Sequence, residues 1–260
     1  MRVVVTRPER EAQQWVHELA ARGLDALALP LIAIAPVADL QPLQAAWRQL
    51  GGYAAVMFVS GNAVTHFFAS KPPDVLVPWS SSAIKTRAWA PGPGTAQALR
   101  EAGVAEALID QPGSGAGQFD SEALWQAVGP RVRPGDPVLI VRGSDGSGRS
   151  VGRDWLASQL AAAGATADFV AAYERRAPRF DAALQAAARE AAGDGSVWLF
   201  SSSEAIGHLR QGLPAQSWER VRALATHPRI AQAARDAGFG VVCESRPTLD
   251  EVVASIESMQ

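Results

Sequence analysis

The residues of this chain best suited to chemistry are a tyrosine, a few arginines, and small hydroxyl, amide and glycine residues that directly follow apolar runs. Tyrosine occurs only as Tyr53 and Tyr173. A phenol, with a reference pKa of about 10, is protonated at neutral pH and can donate to a leaving oxygen. Tyr173, in Tyr173-Glu174-Arg175-Arg176, is the candidate; anchoring an interface is the other role open to it. Ser60-Gly61-Asn62 and Ser201-Ser202-Ser203 each end an apolar run and open a helical stretch, as do Gly92-Pro93-Gly94-Thr95 and Thr226-His227-Pro228-Arg229. Backbone N–H groups at such turns point at solvent, and the helix start favours negative charge by roughly 0.3–1 kcal/mol. Helix capping by Ser or Asn explains any one turn alone, but four together suggest anion binding.

Arg7 and Arg142 occupy equivalent strand ends, where a guanidinium can grip a carboxylate in bidentate fashion or brace a loop through an acidic neighbour. Arg153, Arg175, Arg176 and Arg229 could add local positive charge. His227 is a general-base candidate or a helix cap. Cys243, after Val241-Val242, reads as a structural thiol. One cysteine excludes an intrachain disulfide, and four scattered histidines show no metal-ligand spacing. Neither Gly-x-Gly-x-x-Gly nor a P-loop is present, which argues against a nucleotide cofactor.

These residues need strands to carry them. Short β-branched runs alternate with alanine-rich stretches of helical length, the pattern of helices around parallel sheets. Strands are expected at 3–6, 26–29, 55–59, 88–90, 138–141, 167–170, 197–200, 223–226 and 240–243. The pattern also repeats. Val3-Val4-Val5-Thr6-Arg7 through Leu19-Ala20-Ala21-Arg22-Gly23 answers to Val138-Leu139-Ile140-Val141-Arg142 through Leu160-Ala161-Ala162-Ala163-Gly164. Phe58 to Val64 answers to Phe200 to Ile206, and Gly92 to Gly103 to His227 to Gly238.

Two similar lobes follow, with the cleft between them as the expected active site. Extended crossings at about 30–36 and 171–178 would make the lobes discontinuous: 1–35 plus 174–260 in lobe 1, and 36–173 in lobe 2. Two lobes in simple succession is the other arrangement. Paired linkers would allow hinge opening while limiting twist. Residues 111–118 and 143–152 read as loops by their Gly and Ser content.

The 260 residues suit about two domains, and 48% apolar with 19% charged residues is a soluble globular balance. A net charge of -2 offers no broad basic field for nucleic acid. No apolar run approaches the ~18 residues of a membrane helix, and Val3 to Val5 is too short for a signal peptide. A cytoplasmic protein is expected.

Taken in order, Thr6-Arg7-Pro8, Phe58-Val59-Ser60-Gly61-Asn62-Ala63-Val64, Gly92-Pro93-Gly94-Thr95-Ala96, Asp120-Ser121-Glu122-Ala123-Leu124, Arg142-Gly143 with Gly152-Arg153, Tyr173-Glu174-Arg175, Phe200-Ser201-Ser202 and Pro247-Thr248-Leu249 resemble the uroporphyrinogen-III synthase family over almost the whole chain. The resemblance implies two α/β lobes with parallel sheets flanked by helices (Rossmann- or flavodoxin-like), joined by two extended linkers. It implies a monomer without cofactor or metal, which could receive its substrate by transient handover from hydroxymethylbilane synthase. That substrate is the linear tetrapyrrole hydroxymethylbilane, whose terminal hydroxyl is removed and whose macrocycle is closed with ring D inverted.

Loss of water leaves an azafulvene; attack by the substituted carbon of ring D gives a spiro intermediate that fragments and recloses inverted. Tyr173 matches the family's tyrosine and is the implied catalytic acid. Substrate binding is implied for Thr6, Arg7, Ser60, Asn62, Gly92, Gly94 and Thr95, and for Arg142, Ser201, Ser202, His227 and Arg229. His227 and Ile230 depart from the first copy's Gly92 and Thr95, and 143–152 looks like an insertion that bears on Arg153. The alternatives are a non-catalytic two-lobed sensor or binding module for a small anionic metabolite, and a nucleotide-sugar transferase. The second lacks a nucleotide signature.

Overall fold

The computed structural model describes residues 1–76, 79, 84–113, 118–145 and 155–259. The chain forms two compact units, Met1–Ala33 with Arg176–Gln260, and Ile34–Arg175. The first unit opens with β1 (Arg2–Val5), α1 (Glu9–Ala21) and β2 (Asp25–Ala28). The chain then runs through β3 (Ala33–Pro36), α2 (Gln41–Arg48), β4 (Ala55–Phe58), α3 (Gly61–Ala69), β5 (Arg87–Trp89) and α4 (Pro93–Glu101). The second unit continues with β6 (Ile109–Asp110), α5 (Ser121–Val128), β7 (Pro137–Ser144), α6 (Trp155–Ala162) and β8 (Thr166–Arg176). The first unit is completed by α7 (Ala182–Gly193), β9 (Val197–Phe200), α8 (Ser203–Gly212), β10 (Arg222–Ala225), α9 (Pro228–Asp236), β11 (Val241–Glu244) and α10 (Leu249–Glu257).

The first unit's sheet has the order β11-β10-β9-β1-β2, with every pair parallel. The second has the order β3-β8-β7-β4-β5-β6, parallel from β8 through β6. Without β3, the second order is the first read through the sequence repeat: β8-β7-β4-β5-β6 stands where β2-β1-β9-β10-β11 stands. Each unit is therefore a flavodoxin-like sheet whose strand order reverses at one point, β1 beside β9 or β7 beside β4.

Such strands are buried on both faces, so their side chains alternate between two cores. In β4, Val56 and Phe58 join Leu139, Val141 and Tyr173, while Ala55 and Met57 join Val138, Ile140 and Leu160 on the other face. In the first unit, Val3 and Val5 pack with Leu19, Val197 and Ile256. Trp15 and Val16 lie partly buried against that core on the apolar face of α1, and Cys243 packs there too. Gly23 and Gly164 follow helices in equivalent places and both hold φ at 79°, a left-handed conformation that strains any residue with a Cβ.

Three details correct the sequence reading. Gly143 and Ser144 continue β7 through an irregularity at Arg142/Gly143 instead of opening a loop, because both pair with β8. The crossing at 171–178 is largely strand, with β8 running to Arg176. Its neighbour in the sheet is β3, so the other crossing is partly strand too, and its Pro36 is tolerated because β3 is the edge. Residues 114–117 and 146–154, which include Arg153, lie outside the described residues. Among the described residues, no helix is long and apolar enough to cross a membrane.

Candidate functional site

In the second unit the carboxyl ends of β4 and β7 meet at the point where strand order reverses. Ser60 stands there as the N-cap of α3. Its backbone is extended, and its hydroxyl accepts from the Ala63 N–H at 3.3 Å. The helix holds that position because Ala63, Val64 and Phe67 bury one face of its first two turns.

The Tyr173 hydroxyl lies 3.1 Å from Ser60 Oγ. Its ring comes from β8 and is only 1% exposed. Two neighbours fix the ring. The His66 imidazole stacks on it at a centroid distance of 5.8 Å and 27° between planes. Gly143, paired with Tyr173 across β7 and β8, lies so close that a Cβ there would be 2.8 Å from Tyr173 Cζ. Burial lowers the His66 pKa below the ordinary imidazole value, so the ring is neutral near pH 7.

Two more of the expected residues stand at the neighbouring helix start. Gly92 is the N-cap of α4 in an extended conformation, and a Cβ there would be 3.0 Å from that of Phe119. A Cβ at Gly94 would meet open space, whereas one at Gly61 would lie 3.9 Å from the Gly94 carbonyl, so the starts of α3 and α4 are neighbours. Asn62 is half-buried in the first turn of α3. Thr95 is buried instead, and its repeat counterpart Ile230 is buried equally. The departure at Ile230 therefore falls on a core-facing position.

Arg142 is also buried, but its guanidinium carbon stacks 4.0 Å from the Phe169 ring centroid. Strand alternation puts it on the sheet face opposite Tyr173. Tyr53 belongs elsewhere. It precedes β4 and its hydroxyl donates to Asp168 Oδ2 at 3.3 Å. A groove of about 560 Å³ lined by Arg48, Tyr53 and Asp168 lies at that amino-terminal edge of the sheet.

In the first unit the corresponding strand ends carry Thr6, Arg7, Ser201 and Ser202. The buried Thr6 hydroxyl donates to Leu199 O at 2.8 Å, stitching β1 to β9. Arg7 Nη1 lies 3.3 Å from Glu11 Oε2, its guanidinium covers the Trp15 ring at 4.4 Å, and its Nε is buried without a partner. Burial pulls the Arg7 pKa below its ordinary value, against the pull of Glu11, yet the guanidinium stays charged. Ser202 is the N-cap of α8, with Ser201 half-buried before it. His227 caps α9, its Nδ1 accepting from the Arg229 N–H at 3.1 Å. That fixes the proton on Nε2 and answers for the cap. The Arg229 side chain is exposed.

The structure thus gathers Ser60 and Tyr173 directly and places Gly92 and Gly94 at the next helix start. His66 and Gly143 complete the cluster, though no chemistry in the sequence singled them out. His66 follows Asn62 by four residues on α3, a spacing that shares a helix face.

A profile of the family described as Uroporphyrinogen-III synthase HemD matches residues 13–254. A protein named uroporphyrinogen-III synthase from Chlorobaculum parvum is 32% identical over 147 residues, 55% of this chain and 53% of that protein. The match thus spans about half the length of that relative. The crystal structure of uroporphyrinogen-III synthetase from Helicobacter pylori superposes with a TM-score of 0.61 at 17% identity, covering 100% of both chains. A mutant uroporphyrinogen III synthase from Thermus thermophilus does so with a TM-score of 0.55 at 18% identity, covering 99% of this chain and 98% of that one. These two share the fold. From the profile match along nearly its whole length, the chain belongs to the uroporphyrinogen-III synthase family.

Proposed function

We propose that this protein converts hydroxymethylbilane to uroporphyrinogen III, a lyase reaction that removes water and closes the macrocycle with ring D inverted. The observation that carries this reading is the Tyr173 phenol held against Ser60 at the strand-order reversal of the second unit, in a chain of this family. A phenol there can supply the proton that makes the terminal hydroxyl a leaving group. The pyrrole nitrogen then pushes its electron pair into the ring as the C–O bond breaks, so water departs and an azafulvene remains. The substituted carbon of ring D attacks it, and the spiro centre fragments and recloses through the other α-carbon of ring D. That carbon loses the last proton, which restores the acid.

Hydroxymethylbilane closes unaided to the uninverted isomer, so the enzyme must also restrain its shape. The substrate's eight carboxylates are matched by helix starts in both units and by nearby guanidinium groups. Gly92 and Gly94 offer backbone N–H groups, and the open space above Gly94 lets a ligand approach the chain closely. Ser201, Ser202 and Arg229 play that part in the first unit, where His227 has only Nε2–H left to offer. Arg7 presents an unpaired Nε, which a substrate carboxylate would satisfy. The two units act on one substrate as lobes joined by the paired crossings, as a cytoplasmic monomer without a cofactor that takes the bilane by transient handover from hydroxymethylbilane synthase.

The family match does not favour the alternative of a non-catalytic anion sensor. Supplying enzymatically generated hydroxymethylbilane tests the reading, because only turnover to the type III isomer fits it.

A further inference from the structure

We propose that Ser60, not Tyr173, touches the departing hydroxyl, and that Tyr173 stands behind it as the proton reserve of a two-step relay. This rests on the synthase reading above and deepens it.

Hydrogen-bonding capacity fixes the direction of the Ser60–Tyr173 contact. A serine hydroxyl has one donor and two acceptor sites, and a phenol has one donor. Tyr173 is 1% exposed, and Ser60 Oγ is the hydrogen-bond partner of its hydroxyl among the described residues. Were Ser60 to donate to Tyr173, the phenol O–H would be left buried without an acceptor, an arrangement folded proteins avoid. The phenol therefore donates to Ser60. Ser60 Oγ already accepts from the Ala63 N–H, so both of its acceptor sites are filled. Its own O–H remains for an outside acceptor.

Ser60 is only half-buried, so a ligand can reach it where it cannot reach Tyr173. It lies at the carboxyl end of β4, where ligands of such sheets bind. The Ala63 N–H and the incoming phenol proton both draw charge from the serine oxygen, which makes its proton easier to give up.

The step balances. The Ser60 proton moves to the leaving oxygen, which departs as water with the C–O bonding pair, and the pyrrole nitrogen supplies the electrons for the azafulvene. The Tyr173 proton moves to Ser60, so the serine is never left as an alkoxide, and the tyrosinate accepts a hydrogen bond from the serine it has just reprotonated. After ring closure, the proton lost from the ring D α-carbon returns through Ser60 to Tyr173. The net change is one water lost.

The experiment compares Ser60→Gly, Ser60→Thr, Tyr173→Phe and the Gly/Phe double variant, using hydroxymethylbilane generated in situ. The readouts are kcat and KM for type III formation, and the rate in H2O/D2O mixtures. Glycine is tolerated at an N-cap, so Ser60→Gly removes the hydroxyl with little harm to α3. Each of Ser60→Gly and Tyr173→Phe should lower kcat by about a hundredfold or more, the usual worth of a positioned acid. The double variant should lose no more than the worse single one, because the two groups act as one unit. Ser60→Thr, which keeps the hydroxyl, should restore kcat to within about tenfold of the native value, well above the glycine variant. The native rate should fall along a curve as deuterium rises, since two protons move together.

Native kcat in Ser60→Gly beside a crippled Tyr173→Phe would overturn the relay and place the phenol on the substrate. So would losses that multiply in the double variant. Native protein yielding only the type I isomer would overturn the synthase reading itself, a result separable from either.

Discussion

Gly143 lies directly against the Tyr173 ring, where a Cβ would sit 2.8 Å from Cζ and 3.2 Å from the hydroxyl oxygen. A glycine near the end of a strand often marks a weak pairing. Here its missing side chain is what lets the phenol reach Ser60. Gly143→Ala forces the ring or β7 to shift, an overpacking that costs about 1–3 kcal/mol. The expected result is a lower Tm with kcat for type III formation down at least tenfold, roughly the value of about 1.4 kcal/mol of lost transition-state stabilisation. Unfolding curves and steady-state assays on the same preparation check both; unchanged kcat would show that the phenol tolerates displacement.

His66 stacks on the other side of that ring and is held neutral by burial. Its folded-state pKa lies below the unfolded one. Its neutral form therefore contributes fully above the unfolded value of about 6.5, and that contribution is lost as pH falls below it. His66→Phe keeps an aromatic ring but cannot be protonated. The Tm difference between variant and native protein should rise in favour of the variant as pH is lowered from 8 to 5. A difference that stays flat would mean His66 takes up its proton as readily in the fold as out of it.

Arg7 holds a half-satisfied guanidinium beside Glu11 and over Trp15, with Nε unpaired. Arg7→Lys keeps the charge and loses the planar fork. If that fork grips a substrate carboxylate, KM should rise by about tenfold to a hundredfold, from the roughly 1.5–3 kcal/mol of a charged hydrogen bond. The kcat should change little, since the contact is made equally before and during reaction. A fall in kcat at constant KM would move Arg7 from substrate binding to the chemistry.

Asp110 accepts from Arg87 and from Arg131, the latter at 2.7 Å, at the edge of the second unit's sheet. Burial raises its carboxyl pKa, but the hydrogen bonds from the two arginines outweigh that and hold it below the usual range. The folded value being depressed, the stabilisation is present above the unfolded pKa of about 3.9 and disappears as pH falls through the lower folded value. Both arginines are partly exposed, so solvent weakens the pairs, and Asp110→Asn should cost about 1–2 kcal/mol at pH 7. Chemical denaturation from pH 7 to 2 should show that cost shrinking at the acid end; a constant cost would assign it to packing.

Much of this was legible in the residues. The strand and helix alternation, the repeat and the small residues after Phe58 and Phe200 are local patterns, and aligning the repeat matches the strand order of one sheet to that of the other. What stayed hidden depends on contacts distant in sequence. Gly143 reads as loop because glycine carries no strand signal, yet its place is set by a tyrosine 30 residues later. Two-residue β6 is too short for any period to show. His66 looks like one more polar residue on α3 until β8 brings Tyr173 beneath it. Arg142 reads as a cleft residue from its strand-end position, but the alternation of β7 turns it to Phe169. The resemblance implies substrate binding at Thr6, whose hydroxyl is tied to Leu199.

The proposed function makes this chain the determinant of the closed ring's isomer. The most direct measurement couples hydroxymethylbilane synthesis to the purified protein, oxidises the products and separates the type I and type III porphyrins. A large excess of type III that grows with protein concentration and collapses in Tyr173→Phe is the expected result. Type I alone, formed at the same rate with and without the protein, would contradict it.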